Sequence, residues 1–411
     1  MKKTLALLLV IMMMLPFAAC STGATETPAP AAAATEAPAA EAATEAPVAE
    51  GPALSADGRY PAETIKIGFV NYDTSAEQVL AIQKYFTYLQ TAFNFEIIWS
   101  ESIDSAEGEY AFIEQCAAAG CKGIIGYYNI GKEESVKLAS SLGMYYWGQA
   151  GGADETYAAV ADDPYYLGAY FTDTDPNYAW GYAIGQSLID AGCKNLIVMS
   201  GGKDYGVDFF VKRYNGIMDA IKAAQDAGND VKVVYEVPGW PGTEEFAAHQ
   251  TAALATNADG LAGTLTCLMW LQPMQVAGKM GQIKFGDIGA VSADLVDLMG
   301  GGIYVCQCAE VTDVFGMAIP MIINAVEGYG AQQRTAEGKA ARVDYGSWII
   351  KTPDDMAYYA SIESETGTWA VDINDVKTIL AAYNPNFTVD TMSALYTAVS
   401  AAEIQARHTA E

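Results

Sequence analysis

Basic side chains are scarce in this 411-residue chain, where 22 lysines and arginines stand against 50 aspartates and glutamates, a formal net charge of −28. A surface this acidic repels nucleic acid, and no basic stripe offsets it, so no nucleic-acid partner is expected. Histidine is scarcer still, with only His249 and His408. Two imidazoles leave almost nothing for a histidine-based zinc site or a Ser-His-Asp triad. His249 falls in the helical stretch "EEFAAHQTAALAT" and is expected on its solvent side. Glycine clusters occur as "SGG" at 200–202, "GWPG" at 239–242 and "GGG" at 300–302, but G-x-G-x-x-G and a P-loop lysine are missing. The acid pairs Asp162–Asp163 and Asp354–Asp355 are chain neighbours, which rarely face one another as a general acid and base must. Asp173-x-Asp175-x-Asn177 opens like a calcium loop, yet Tyr178 and Ile184 occupy its glycine and glutamate positions. It reads as hinge and helix-cap chemistry, with Asp175 before Pro176. No metal, cofactor or catalytic residue is expected.

What is present begins with "MKKTLALLLVIMMMLPFAAC", a basic start, an apolar run and small residues before Cys20. This pattern predicts a signal peptide over residues 1–19. "LPFAAC" resembles the lipobox of bacterial lipoproteins, with Phe17 where that motif usually has leucine; the resemblance implies lipidation of Cys20. From there to about residue 59 the chain is rich in Ala, Pro, Thr and Glu, with no aromatic between Phe17 and Tyr60. Such a stretch cannot bury enough apolar area to offset its ordering entropy, and it reads as a disordered tether. No other ~20-residue apolar segment occurs, so membrane contact is expected through the anchor only. Of the six further cysteines, Cys306 and Cys308 share one face of a predicted strand, where a bridge would be strained. Buried thiols are the expected state.

From Ile65 short apolar runs alternate with longer amphipathic ones. "IKIGFV", "FEIIWS", "GIIGYY" and "MYYWGQ" read as strands with helices near Ala76–Ala92, Glu107–Ala119 and Glu133–Ser141 between them. After a short strand near "AYFT" the pattern repeats: a helix near Ala179–Asp190, "NLIVMS", the helix of "FFVKRYNGIMDAIKAA", "VKVVYEV", a helix near Glu244–Thr256, "GLAGTL", "GDIGAV" and "IYVCQ". A last helix is expected near Phe315–Val326. Repeated β-then-α units imply right-handed crossovers and parallel sheets covered by helices on both faces. The expected fold class is α/β, two doubly wound parallel-sheet lobes joined by a multi-strand hinge. The expected division is an N-terminal lobe at 60–172, completed by about 308–345, a C-terminal lobe at 173–307, and an extension at 346–411 of uncertain lobe.

This order of elements, with "SGGKDYGVDFFVKRYNGIMDAI" and its R-x-x-G from Arg213 to Gly216, and "IYVCQ" with Gln307, resembles the type I periplasmic binding proteins. The similarity is to the sugar-binding, ribose-binding-protein-like lipoproteins of ABC importers and runs over roughly residues 63–330. The resemblance implies that Arg213, the only arginine between Arg59 and Arg334, touches ligand, as does Gln307. A salt bridge to Asp208 or Glu245 is the competing reading of Arg213.

Ligands of open parallel sheets bind beyond the carboxyl ends of the strands. By that rule the first lobe offers Asn71, Tyr72, Asp73, Tyr128, Asn129 and Gln149, and the second offers Thr266, Asp294 and Gln307. On the helical wheel Phe210, Tyr214, Ile217, Ile221 and Ala224 share a face, with Arg213 on its flank. There a planar fork of donors can hold vicinal hydroxyls or a carboxylate. Trp240 and Trp270 are the expected stacking aromatics, with Trp180, Tyr72 and Trp147 as further candidates. Relatives of this kind often carry Asp-Arg after the fourth strand, where this chain reads "WGQAGGADE". That difference speaks against the usual aldopyranose or ribose recognition and leaves nucleosides, signalling furanosides and other polyols open.

The expected activity is binding without bond cleavage. A lipid-anchored, extracytoplasmic monomer would capture a small polar solute by hinge closure and deliver it to an ABC permease. Two alternatives stay open: a sensor presenting its closed form to a receptor kinase or chemoreceptor, and a carbohydrate-active enzyme.

Overall fold

The computed structural model describes residues 51–127, 131–148, 154–170, 176–205, 207–362 and 368–409. Cys20, the signal and most of the tether, Tyr128, Asn129, Gln149, Asp173 and Asp175 lie outside the described residues.

The first lobe runs β1 (Tyr60–Asn71), α1 (Glu77–Leu89), β2 (Phe93–Ser102), α2 (Ala106–Ala118), β3 (Gly123–Gly126), α3 (Lys132–Ser141), β4 (Tyr145–Gly148), α4 (Asp154–Val160) and β5 (Tyr166–Tyr170). The second lobe continues with α5 (Pro176–Asp190), β6 (Asn195–Met199), α6 (Asp208–Asp226), β7 (Lys232–Val237), α7 (Glu244–Leu254) and β8 (Gly260–Gly263). It proceeds through α8 (Leu271–Val276), β9 (Lys284–Ile288), α9 (Asp294–Gly300) and β10 (Tyr304–Glu310). The chain then re-enters the first lobe with a 3-10 turn, Thr312–Met317, α10 (Ala318–Val326) and β11 (Ala341–Val343), and returns to the second with β12 (Ser347–Ile350). The helices α11 (Pro353–Ile362), α12 (Ile373–Thr378), α13 (Val389–Thr397) and α14 (Ala401–His408) complete it.

Two six-stranded sheets result, ordered β11-β5-β4-β3-β1-β2 and β12-β10-β9-β8-β6-β7. Every pairing is parallel except β10 with β12. Strands buried on both faces need apolar residues at successive positions rather than in alternation, as Leu196–Met199 show, all fully buried. The expected α/β class with two parallel-sheet lobes is the observed one. The chain changes sheet between β5 and β6, after β10, and between β11 and β12.

The helix expected near Phe315–Val326 is a 3-10 turn followed by α10, buried almost throughout. All six cysteines among the described residues are free and buried, as expected. His249 differs from expectation: its ring nitrogen lies 2.9 Å from the Tyr235 hydroxyl, half-buried, because β7 passes under α7. Among the described residues no helix is long and apolar enough to cross a membrane.

Candidate functional site

The strand-to-helix turns at the carboxyl ends of the second sheet converge on Arg213. It sits in the second turn of α6, whose face of Phe210, Ile217, Ile221 and Ala224 is buried against the sheet. Its Nε donates to Asn177 Oδ1 at 2.7 Å, and its Nη1 to the Thr264 carbonyl at 3.0 Å. The guanidinium lies 4.9 Å from the Phe209 ring and 5.4 Å from both Phe210 and Trp180, an aromatic surround that favours a planar cation. Among the described residues the acid of the competing reading, Asp208, pairs with Lys212 at 2.6 Å.

Thr264 carries the line across the sheet. Its hydroxyl donates to the Met199 carbonyl at 3.1 Å, fixing the end of β8 against the end of β6. Gly201 has φ +55°, and a Cβ there would stand 2.8 Å from Thr264 Oγ1, so the "SGG" turn is a packing requirement and not a phosphate cradle. Gly289 lies between Thr266 and Gln307: a Cβ on it would be 3.3 Å from Thr266 Cβ and 3.7 Å from Gln307 Nε2. Gln307 donates to the Ala290 carbonyl at 2.6 Å and is 1% exposed. Arg213 of α6, Thr264 and Thr266 just past β8, and Gln307 within β10 thus follow one another through these contacts at the carboxyl end of the sheet.

Beneath it lies Asp287, fully buried and accepting from the Cys267 amide and the Tyr304 hydroxyl. Burial pushes its carboxyl up to about 7. It pins the turn that carries Thr266, and had no signal in the sequence beyond an acid inside an apolar strand.

On the first lobe, Asn71 ends β1 fully buried; its amide nitrogen donates to Ser100 Oγ and its Nδ2 to the Ser100 carbonyl. Asn71 Oδ1 and Gln307 Oε1 are buried acceptors with no hydrogen-bond partner among the described residues, a costly state unless something else donates. Asp73 caps its own turn through the Ser75 amide and hydroxyl, and the Ser75 hydroxyl holds its carboxyl below the usual range.

An aromatic wall extends from there. Tyr72, 41% exposed, meets Tyr127 edge-on at 5.1 Å. Tyr127 meets Phe315 at 5.5 Å, Phe315 meets Tyr170 at 5.7 Å, and Tyr170 meets Tyr345 at 5.0 Å. Only Tyr72 was named from sequence; Tyr127 and Tyr170 were accessible to the same rule, since each ends or follows a strand. Two residues past Tyr345, the Ser347 hydroxyl accepts from Trp180 Nε1 at 2.9 Å. Trp180 faces Arg213, so wall and patch connect through the third crossing.

Two of the expected stacking residues lie in the core. Trp270 is a core residue, fully buried, with its indole N–H on Met199 Sδ at 3.2 Å, because the turn after β8 folds back under α7. Trp147 is fully buried inside β4. Both readings as stacking residues are corrected. Trp240, 46% exposed, meets Phe210 edge-on at 5.7 Å beside Arg213. Asp294 is exposed on the first turn of α9. A groove of about 590 Å³ lies along α7 and α8, lined by Leu254, Pro273 and Val276 among others, on the helical face.

Neither a protein-family model nor a curated protein sequence matches the chain. Solved structures do. An ABC transporter periplasmic solute-binding protein from Actinobacillus succinogenes 130z with bound D-allose superposes with a TM-score of 0.57 at 16% identity, over 71% of this chain and 99% of that one. A periplasmic sugar-binding protein from Pseudomonas fluorescens gives 0.58 at 13% identity, over 80% of this chain and 99% of its own. A galactofuranose-binding protein gives 0.54 at 14%, over 73% and 98%. This chain therefore has the type I periplasmic-binding-protein fold, shared with sugar-binding members of that class.

Proposed function

We propose that the protein is an extracytoplasmic receptor for a small polar solute, sugar or sugar-like, with nucleosides and polyols in the same chemical range. The observation that carries this reading is the pairing of a polar patch on one lobe, Arg213–Thr264–Thr266–Gln307, with an aromatic wall on the other. A hydroxylated ring suits both halves: its apolar face stacks and its hydroxyls meet fixed donors and acceptors. Asn71 and Gln307 would supply the unpaired acceptors, and Tyr72, Asp73, Trp240 and Asp294 the rim. Ligand contacts from both lobes favour closure by their differential affinity for the closed state. No bond is broken in this scheme. The comparison proteins support the chemistry, one holding D-allose and another, at 14% identity, myo-inositol. We further infer that Cys20 carries a lipid, that residues 60–172 with 308–345 and residues 173–307 are the moving bodies, and that a monomer delivers its solute to an ABC permease.

A thermal-shift screen across monosaccharides, nucleosides and polyols tests the reading. A true ligand at a hundred times its Kd adds about 2.7 kcal/mol of stability and raises Tm. Arg213→Ala should abolish that shift. An unchanged shift in that variant removes Arg213 from the site, and no shift with any solute removes the reading.

A further inference from the structure

The comparison structures match over 98–99% of their own length but account for 71–80% of this chain. The described chain goes on past the last strand of either sheet into α11–α14, and those helices touch both lobes. α11 packs on the second lobe against α9, with Tyr359 stacked at 4.3 Å on Trp348 of β12. The next stretch is pinned to the first lobe. Both polar groups of the Val371 backbone are taken by first-lobe side chains: the N–H donates to Asp313 at 2.6 Å and the carbonyl accepts from Tyr85 at 2.8 Å. Asn324 of α10 does the same for two more backbone groups, donating to the Ile379 carbonyl at 3.0 Å and accepting from the Ala381 amide at 2.8 Å.

α13 then grips the crossing itself. The Asp344 amide donates to Ser393 Oγ at 3.3 Å and the Gly346 amide to the Tyr396 carbonyl at 2.8 Å. The fit is close: a Cβ on Gly346 would stand 2.5 Å from Val399 Cγ2. Last, α14 joins the two halves. Its Ala401 amide donates to the Tyr359 hydroxyl at 3.1 Å, on the second-lobe side. Its Arg407 donates to the Ala370 carbonyl at 2.6 Å, to Asp375 at 3.4 Å and to the Ala398 carbonyl, on the first-lobe side. Asp372, Asp375 and His408 bring their ligand atoms within 4.8 Å of one another, but the two acids are occupied by the α12 capping box and by Arg407.

We propose that α11–α14 form a brace that ties the two lobes across the hinge and limits the angle between them, with Arg407 and Tyr359 as the positioning residues that close the tie. A lobe rotation must carry the Val371 and Asn324 pins away from the Trp348–Tyr359 stack, and the brace resists it as one packed body. The brace also fixes both neighbours of Tyr345, so the last ring of the aromatic wall is set from α13. The interlobe angle needs no solute, so this inference stands or falls separately from the binding reading.

Its test is electron-electron distance spectroscopy on the solute-free full chain. Spin labels go on Glu101→Cys and Glu245→Cys, exposed on the first and second lobe, in a Cys20→Ser background; the six other thiols are buried. The parent protein should give one narrow distance distribution. Arg407→Ala should broaden it about twofold, and Tyr359→Phe, which removes a single hydroxyl, should broaden it less. Circular dichroism checks that each variant is folded. If Arg407→Ala does not fold, Tyr359→Phe decides alone. Distributions as narrow as the parent's in the folded variants would overturn the brace.

Discussion

Lys132 and Glu109 show how a buried charge depends on its partner. Glu109 is fully buried on α2 and Lys132, with 10% of its side chain exposed, opens α3 at 3.5 Å from it. Tyr146 of β4 bridges them, donating to Glu109 at 2.8 Å and accepting from Lys132 at 3.0 Å. Burial draws the lysine down to about 8. There is no room to spare: a Cβ on Gly126, the last residue of β3, would stand 2.8 Å from Lys132 Nζ. Lys132→Met leaves Glu109 buried and uncompensated, which should cost about 3–5 kcal/mol in urea unfolding. Adding Glu109→Gln should restore most of that loss. A double variant no more stable than Lys132→Met would show that the pair is not the unit described. None of this was visible in the sequence, where Glu109 is one acid among many on an amphipathic helix and its burial depends on a tyrosine 37 positions away.

At the scale of elements, α5 and α6 pack by laying glycine on backbone. A Cβ on Gly181 would meet the Arg213 carbonyl at 1.9 Å, and one on Gly216 would meet the Tyr178 carbonyl at 2.2 Å. The R-x-x-G spacing therefore has a mechanical reason: Gly216 lets α6 approach α5, and Arg213, one turn earlier, is held beside Asn177. Gly216→Ala should destabilise by about 1–3 kcal/mol through overpacking and weaken solute binding by shifting the guanidinium. In an open helix position the same change should stabilise by up to about 1 kcal/mol, so the sign in thermal unfolding separates the two cases.

The alternation of strands and helices was legible because the central parallel strands are unbroken apolar runs. β11 and β12, of three and four residues, are too short to show a period. The apolar residues just before α12 answer to partners hundreds of residues away, as the Trp369 ring answers to Tyr85 at 4.9 Å. The strand-tip rule found Arg213's neighbourhood but could not separate Trp240, on the surface, from Trp270, in the core. Both are tryptophans in βα turns, and only the path of the chain after each turn distinguishes them.

For the molecule as a whole, two sheets joined by three crossings suit the rotation of one lobe against the other that the proposed capture requires. The polar patch belongs to one lobe and most of the aromatic wall to the other, with Tyr345 on the crossing between them. A solute bridging the two must therefore draw them together, and the brace must travel with one lobe or yield. Small-angle X-ray scattering on the full chain, with and without a saturating solute that raises Tm, tests this most directly. Binding should reduce the radius of gyration, and Arg213→Ala should leave it unchanged at the same solute concentration. A solute that binds by calorimetry while the scattering stays the same would contradict capture by closure between the lobes.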